Sequence, residues 1–175
     1  MTARDPWEGI LDEDEKIIWQ GRPDGKVTLG IAHFAGAAFG LLFAGFALVW
    51  MMLASMSGGF FWMFGLLHFA VGLGIAGGAL FGPAFRRRHT WYTLTDQRAF
   101  VATDLPFMGR KLNSYPITSK TRLTYQDNDP ATITFHTEFR TTKNGSRRIE
   151  IGFERIADGA KVYRLMRDTQ ERQTA

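Results

Sequence analysis

The stretch GLGIAGG, Gly72 to Gly78, carries the spacing G-x-G-x-x-G at Gly72, Gly74 and Gly77, and an acid, Asp96, follows about twenty positions later. In a dinucleotide-binding fold such glycines allow a tight turn and a close approach to pyrophosphate, while the acid holds a ribose hydroxyl. The flanks argue against that chemistry here. A helix after the turn would have to run through Gly77, Gly78, Gly82 and Pro83 while apolar on every face, which makes a poor helix in water. No βαβ pattern follows it.

Two histidines, His33 and His68, lie in the same apolar region, where an imidazole invites a haem or proton-path role. Counted from the charged edges of that region they sit six and seventeen residues deep, roughly 9 Å and 25 Å at the helical rise per residue. Axial ligands of one haem need nearly equal depth. The readings that remain are a polar contact between helices or with a partner protein, or a side chain facing the interface or water. His89 and His136 have no companions at ligand spacing. The chain has no cysteine, which excludes disulfides, thiolate nucleophiles and cysteine-ligated metal sites. With no local Ser/His/acid motif, phosphate loop or apolar pair of carboxylates, neither an enzyme nor a cofactor is expected.

The elements that hold these residues follow from the distribution of charge. From Val27 to Phe85, 59 residues contain no Asp, Glu, Lys or Arg, whereas Lys26 ends one side and Arg86, Arg87 and Arg88 end the other. A hydrocarbon layer of about 30 Å takes about 20 helical residues. The run therefore predicts two membrane spans, at about Val27 to Leu53 and Phe60 to Phe85, joined by a turn over Ala54 to Gly59. At helical spacing, Gly36, Gly40 and Ala44 share a face of the first span, and Ala70, Gly74, Gly78 and Gly82 share one of the second. Such small-residue faces let backbones approach closely, within the hairpin or toward a partner. The turn carries no Lys or Arg and both flanks do, so the termini are expected in the cytoplasm. The segment Met1 to Lys26 lacks a signal-peptide pattern and is expected to be retained.

After Thr90 the pattern alternates. Arg148 to Glu154 places Ile149, Ile151 and Phe153 on one face, as a half-buried strand does, and Ala131 to Thr137 repeats it. Further strands are expected at Trp91 to Thr95, Arg98 to Thr103, Lys111 to Ile117 and Thr121 to Gln126, giving an antiparallel meander. Ile156, Ala160, Tyr163 and Met166 then form a helical stripe, flanked by Val162 and Leu165, with Asp158 as cap. The expected class is thus an α+β membrane protein with three parts: residues 1–26, the hairpin 27–85 and the cytoplasmic part 86–175.

Charge divides along the same boundaries. Met1 to Lys26 is net −3 and Arg86 to Ala175 net +7. Anionic headgroups attract basic residues near the membrane plane by about 1 kcal/mol each. Arg86, Arg87, Arg88, Arg110, Lys111, Lys143, Arg147 and Arg148 are therefore candidate contacts for anionic lipid or a partner. Against this, the first three satisfy the positive-inside tendency alone and the rest suit a solvated face. Nucleic acid is not expected, because aromatics do not interleave with the basic residues. In the loop Asp104 to Gly109, Leu105, Phe107 and Met108 cluster at a hairpin tip. They either fold back over the open end of the sheet or dock on membrane or partner.

Four stretches together with the two spans, EKIIWQGRP (Glu15 to Pro23), WYTLTDQR (Trp91 to Arg98), ITF (Ile133 to Phe135) and IEIGFERI (Ile149 to Ile156), resemble the bacterial pleckstrin-homology-like membrane proteins of the YdbS type. The resemblance covers nearly the whole chain. It implies a small, strongly bent antiparallel β-barrel or sheet closed by a carboxy-terminal helix. It also implies that Ile17-Ile18-Trp19 is a strand of that sheet, so that the membrane hairpin is an insertion. Some relatives carry tandem copies of the domain, whereas this chain has one. Some take part in assembling photosynthetic membrane complexes. The function expected is an interaction or assembly module in a bacterial inner membrane, an accessory subunit or assembly factor with a membrane-protein partner or a second copy. The alternative is a sensor of anionic lipid headgroups.

Overall fold

The computed structural model describes residues 7–106, 108–142 and 145–173. The chain forms two compact units. One joins the residues up to Asp24 with those from Arg87 onward, and the other is the segment Gly25–Arg86.

The segment Gly25–Arg86 is a helical hairpin. Helix α1 spans Ile31–Ser55, a short 3-10 turn covers Phe61–Met63, and α2 spans Phe64–Arg88. Each helix has 25 residues, about 37 Å of rise, which is long enough to cross a bilayer. Only 22% and 17% of their most apolar windows are buried within the chain. A soluble core helix would hide most of that surface. Helix α1 starts four residues later than the charge-free run, because Gly30 and His33 cap it. The Gly30 N–H donates to His33 Nδ1 at 2.9 Å, and the His33 N–H donates to the Gly30 carbonyl at 2.9 Å. The imidazole thereby meets one of the donors that a helix start leaves unpaired.

The other unit contains two antiparallel sheets. Strands β1 (Ile17–Gly21), β2 (Thr90–Thr95), β3 (Arg98–Leu105) and β4 (Gly109–Pro116) form the first, in that order. Strands β5 (Thr124–Gln126), β6 (Ala131–Thr142) and β7 (Gly145–Ile156) form the second. Strand β1, from before the hairpin, pairs with β2, from after it, in the register Trp19↔Leu94 and Gln20↔Thr93. The meander is therefore in two pieces and does not close into a barrel. The break lies between β4 and β5, where Thr118 and Thr121 bond to each other in a turn. Helix α3 (Gly159–Arg172) fixes that turn: Gln170 Nε2 donates to the carbonyls of Thr118 at 2.9 Å and Thr121 at 2.7 Å.

The core draws on both sheets and α3. Trp19, Tyr92, Leu94, Ala99 and Ile117 from the first sheet and its end meet Ile133, Phe135, Phe153 and Ile156 from the second, with Val162 and Met166 from α3. Fully burying a side chain of this size stabilises by about 1.5–3 kcal/mol. The buried stripe of α3 is Gly159, Val162, Met166 and Thr169. Ala160 is exposed, so the stripe lies to one side of the one that spacing suggested. Gly159 is required there, since a Cβ would run into Ala131. Asp158 occupies the N-cap position of α3, but its side chain makes no capping bond. The backbone carbonyl of Asp158 accepts the Val162 N–H at 3.0 Å instead.

Both ends of the hairpin leave this unit at adjacent points. Arg87 Nε donates to the Asp24 carbonyl at 3.0 Å, across 63 residues of sequence. The Asp24 carboxylate pairs with Arg155 at 2.9 Å, and the Asp24 N–H donates to the Arg155 carbonyl at 2.8 Å. Arg155 sits at a φ of 52°, a left-handed conformation that costs an ordinary side chain energy unless its surroundings hold it. Asp24 supplies that hold from two sides.

Candidate functional site

Within the hairpin the small residues divide into two faces. In α1, Gly36, Gly40 and Ala44 face α2. A Cβ on Gly40 would meet the backbone of Ala76 and Gly72 at 2.5–2.6 Å, and one on Gly36 would meet Ala79 at 2.9 Å. Buried Ala37, Gly40, Ala44 and Ala47 alternate steps of three and four, the spacing of a seam between helices. In α2 the matching residues are Gly65, Gly72 and Ala76, all buried. Gly74, Gly78 and Gly82 are not among them: a Cβ at each would meet nothing within 4 Å, and Ala70, Gly74 and Gly78 are exposed. The second face read from spacing is thus outside the hairpin contact.

The two histidines of the hairpin have different surroundings. His33 caps α1, as described. His68 Nδ1 lies 3.2 Å from the Phe64 carbonyl of its own helix, and its ring packs against Phe64 and Phe43. It lines a cavity of about 210 Å³ together with Phe46, Trp50 and Gly65. Among the described residues no three His, Cys, Asp or Glu side chains gather as metal ligands.

In the sheet unit, the motif TDQR is a clip. Thr95 Oγ1 accepts the N–H groups of Arg98 at 2.9 Å and Gln97 at 3.2 Å, closing the β2–β3 turn, and donates to Glu15 at 2.6 Å. Arg98 grips the same carboxylate through Nε at 3.1 Å and through Nη2, and reaches Asp12 at 3.0 Å. Asp96 ties down the adjoining backbone: its carboxylate accepts the Lys16 N–H at 3.0 Å. Burial pushes the Glu15 carboxyl up. The hydrogen bonds from Arg98, Thr95 and the Asp12 N–H, with the charge of Arg98, outweigh that and hold it below the usual carboxylate value of 4.5. The bond to Glu15 in turn raises Arg98. These groups fasten the amino-terminal segment onto the sheet.

That segment shapes a cleft on the outward side of the first sheet. Trp91, Ala102 and Leu112 lie in one row across β2, β3 and β4, and Gln20, Thr93, Phe100 and Ser114 in the next. The turn at Trp7 to Leu11 covers the second row. Trp7 meets Phe100 edge to face at 5.3 Å, and Phe100 is only 2% exposed. The first row stays open, and the cleft, about 810 Å³, runs between the turn and β4. Its rim is charged. The Arg22 guanidinium lies 4.7 Å from the Trp91 ring centre, and Arg110 pairs with Asp104 at 2.9 Å. Nothing in the spacing of motifs marked this cleft. The signal present was that Trp91–Leu94 and Ala99–Ala102 are apolar or small on both faces, which a strand needs only when both faces are covered.

The basic residues fall in separate places. Arg87 is 8% exposed and bonded to Asp24, so it is a strut of the fold and not an outward contact. Arg86 and Arg88 are exposed in the last turn of α2, where cations suit the helix terminus. Arg110, Lys111 and Met108 come together at the β3–β4 turn, all exposed. Leu105 is half-buried within β3, not at the tip, because β3 runs two residues further than its alternation suggested. Arg147 and Arg148 lie on the other long hairpin, opposite Arg140 and Phe139, and Arg148 pairs with Glu150 at 3.2 Å. Phe107 and Lys143 lie outside the described residues. No family model, curated protein or solved structure matches this chain.

Proposed function

We propose that this chain is a membrane-anchored interaction module of the pleckstrin-homology-like type, serving as an accessory or assembly subunit of a larger membrane complex. The observation that carries the reading is the pairing of β1 with β2 across the hairpin. The apolar helices are a loop of the sheet unit, leaving and returning at Asp24 and Arg87. A sheet built from both sides of its own anchor is held at the bilayer by two covalent connections, as a platform for partners would be. The exposed Gly74 and Gly78 of α2 offer a surface on which a partner helix packs closely.

The second reading, recognition of anionic headgroups, is favoured by one arrangement: Met108, Arg110 and Lys111 lie exposed at the same end of the β3–β4 hairpin. Purification of the tagged full-length chain in mild detergent, with wild type compared against Gly74→Leu/Gly78→Leu, separates the two. The assembly reading expects a membrane protein recovered at fixed stoichiometry with wild type and lost with the variant. Equal recovery from both, or anionic lipid as the one companion, contradicts it.

A further inference from the structure

The cleft on the outward side of the first sheet has the anatomy of a ligand site that the anchoring role does not use. Its floor is small, Ala102 and Gly21. Its walls are Trp91, Leu112 and Ile10, with Leu112 and Ile10 left 42% and 38% exposed. About 810 Å³ lies within the range of sites that enclose one small ligand in mainly apolar walls with a few polar groups to orient it.

We propose that this cleft binds a single-chain anionic amphiphile, with its tail over Ala102 and its acid group at the Arg22 rim. The tail is assigned by the walls, since covering open aromatic and aliphatic surface is the main source of affinity there. The head is assigned by charge. Asp104 already pairs with Arg110, so Arg22 sets the sign of the rim, and its stacking on Trp91 holds its guanidinium at the edge of the trough. Exposed cations alone bind an anion weakly, so inorganic phosphate without a tail gains little. An alcohol with the same tail forgoes the charge-assisted bonds. The inference is independent of which partner meets α2.

The test is photolabelling of the full-length protein in nanodiscs of neutral phosphatidylcholine, using a dodecyl phosphate that carries a diazirine in its chain, with labelled peptides mapped by mass spectrometry. Peptides containing Ile10 and Leu112 should be labelled saturably. Unmodified dodecyl phosphate should compete. Dodecanol, inorganic phosphate and two-chain phosphatidate should compete at least about tenfold less well. Ala102→Leu, which fills the trough, should remove this labelling while peptides of α1 and α2 remain labelled. Arg22→Glu, which leaves the trough open, should weaken it about tenfold. Labelling that does not saturate, that survives Arg22→Glu unchanged, or that dodecanol or phosphatidate competes equally, overturns the proposal.

Discussion

At Glu15 a carboxylate with no exposed side-chain surface accepts bonds from Thr95, Arg98 and the Asp12 N–H. Glu15→Gln should lower the stability of the sheet unit at neutral pH by about 2–3 kcal/mol, because Arg98 and Thr95 lose a charged acceptor in a place water reaches poorly. The pH dependence has a definite sign. Glu15 titrates below 4.5 in the folded unit, so the unfolded chain takes up its proton first. The stabilisation is complete above 4.5 and fades as pH falls through the folded value. The Tm difference between wild type and Glu15→Gln should therefore shrink on going from about pH 6 to about pH 3. A difference independent of pH would mean that the ionised carboxylate does not hold the clip. The TDQR motif was legible in sequence, but its role was not. Asp12, Glu13, Asp14 and Glu15 are equivalent there, and only the fold decides which of them reaches Arg98.

For the helices, the two small-residue faces make opposite predictions. Gly40→Leu drives a side chain into the backbone of Gly72 and Ala76 and should weaken the hairpin contact by about 1–3 kcal/mol. Gly74→Leu meets open space and should change it by less than about 0.5 kcal/mol. Cross-linking between α1 and α2 in detergent measures both, and equal loss from the two variants would refute this assignment of faces. In α1 the residues at spacing of four, Gly36, Gly40 and Ala44, lie toward α2, although Ala35, Ala38 and Gly45 make that helix small on other sides too. Helix α2 is small on several sides, at Gly72, Gly74, Gly77 and Gly78, so its sequence offers more than one seam and packing selects among them. The strands show a related limit. Alternation located the inward residues of β6 and β7, but both strands continue past Thr137 and before Arg148 through mostly exposed residues that are polar or small except for Phe139, where no hydrophobic alternation is left to read.

Across the whole molecule, two facts dominate: a sheet unit that draws β1 from before the hairpin, and a charge-free hairpin that begins and ends beside it in sequence. Since Asp24 and Arg87 are in contact, replacing Gly25–Arg86 with a short Gly/Ser linker should leave a soluble unit with one cooperative thermal transition. Starting the chain at Arg86 removes Trp19 from the core and Glu15 from its clip, and should leave that part open to limited proteolysis. Equal protection of the two would mean that the amino-terminal segment is dispensable to the fold. The two apolar helices were plain in the sequence, since 59 uncharged residues have few alternatives. The division into two sheets and the outward cleft were not, because both depend on where the chain turns back and on what covers β2 and β3.

The proposed role of the hairpin as the membrane anchor of a cytoplasmic unit can be read from single sites, because the chain has no cysteine. Ser57→Cys and Lys161→Cys, both at exposed positions, can be probed in intact cells with a membrane-impermeant maleimide. Ser57→Cys should be labelled from outside and Lys161→Cys only after permeabilisation. Labelling of both from the same side, or of Lys161→Cys from outside, would contradict the anchor role of the hairpin.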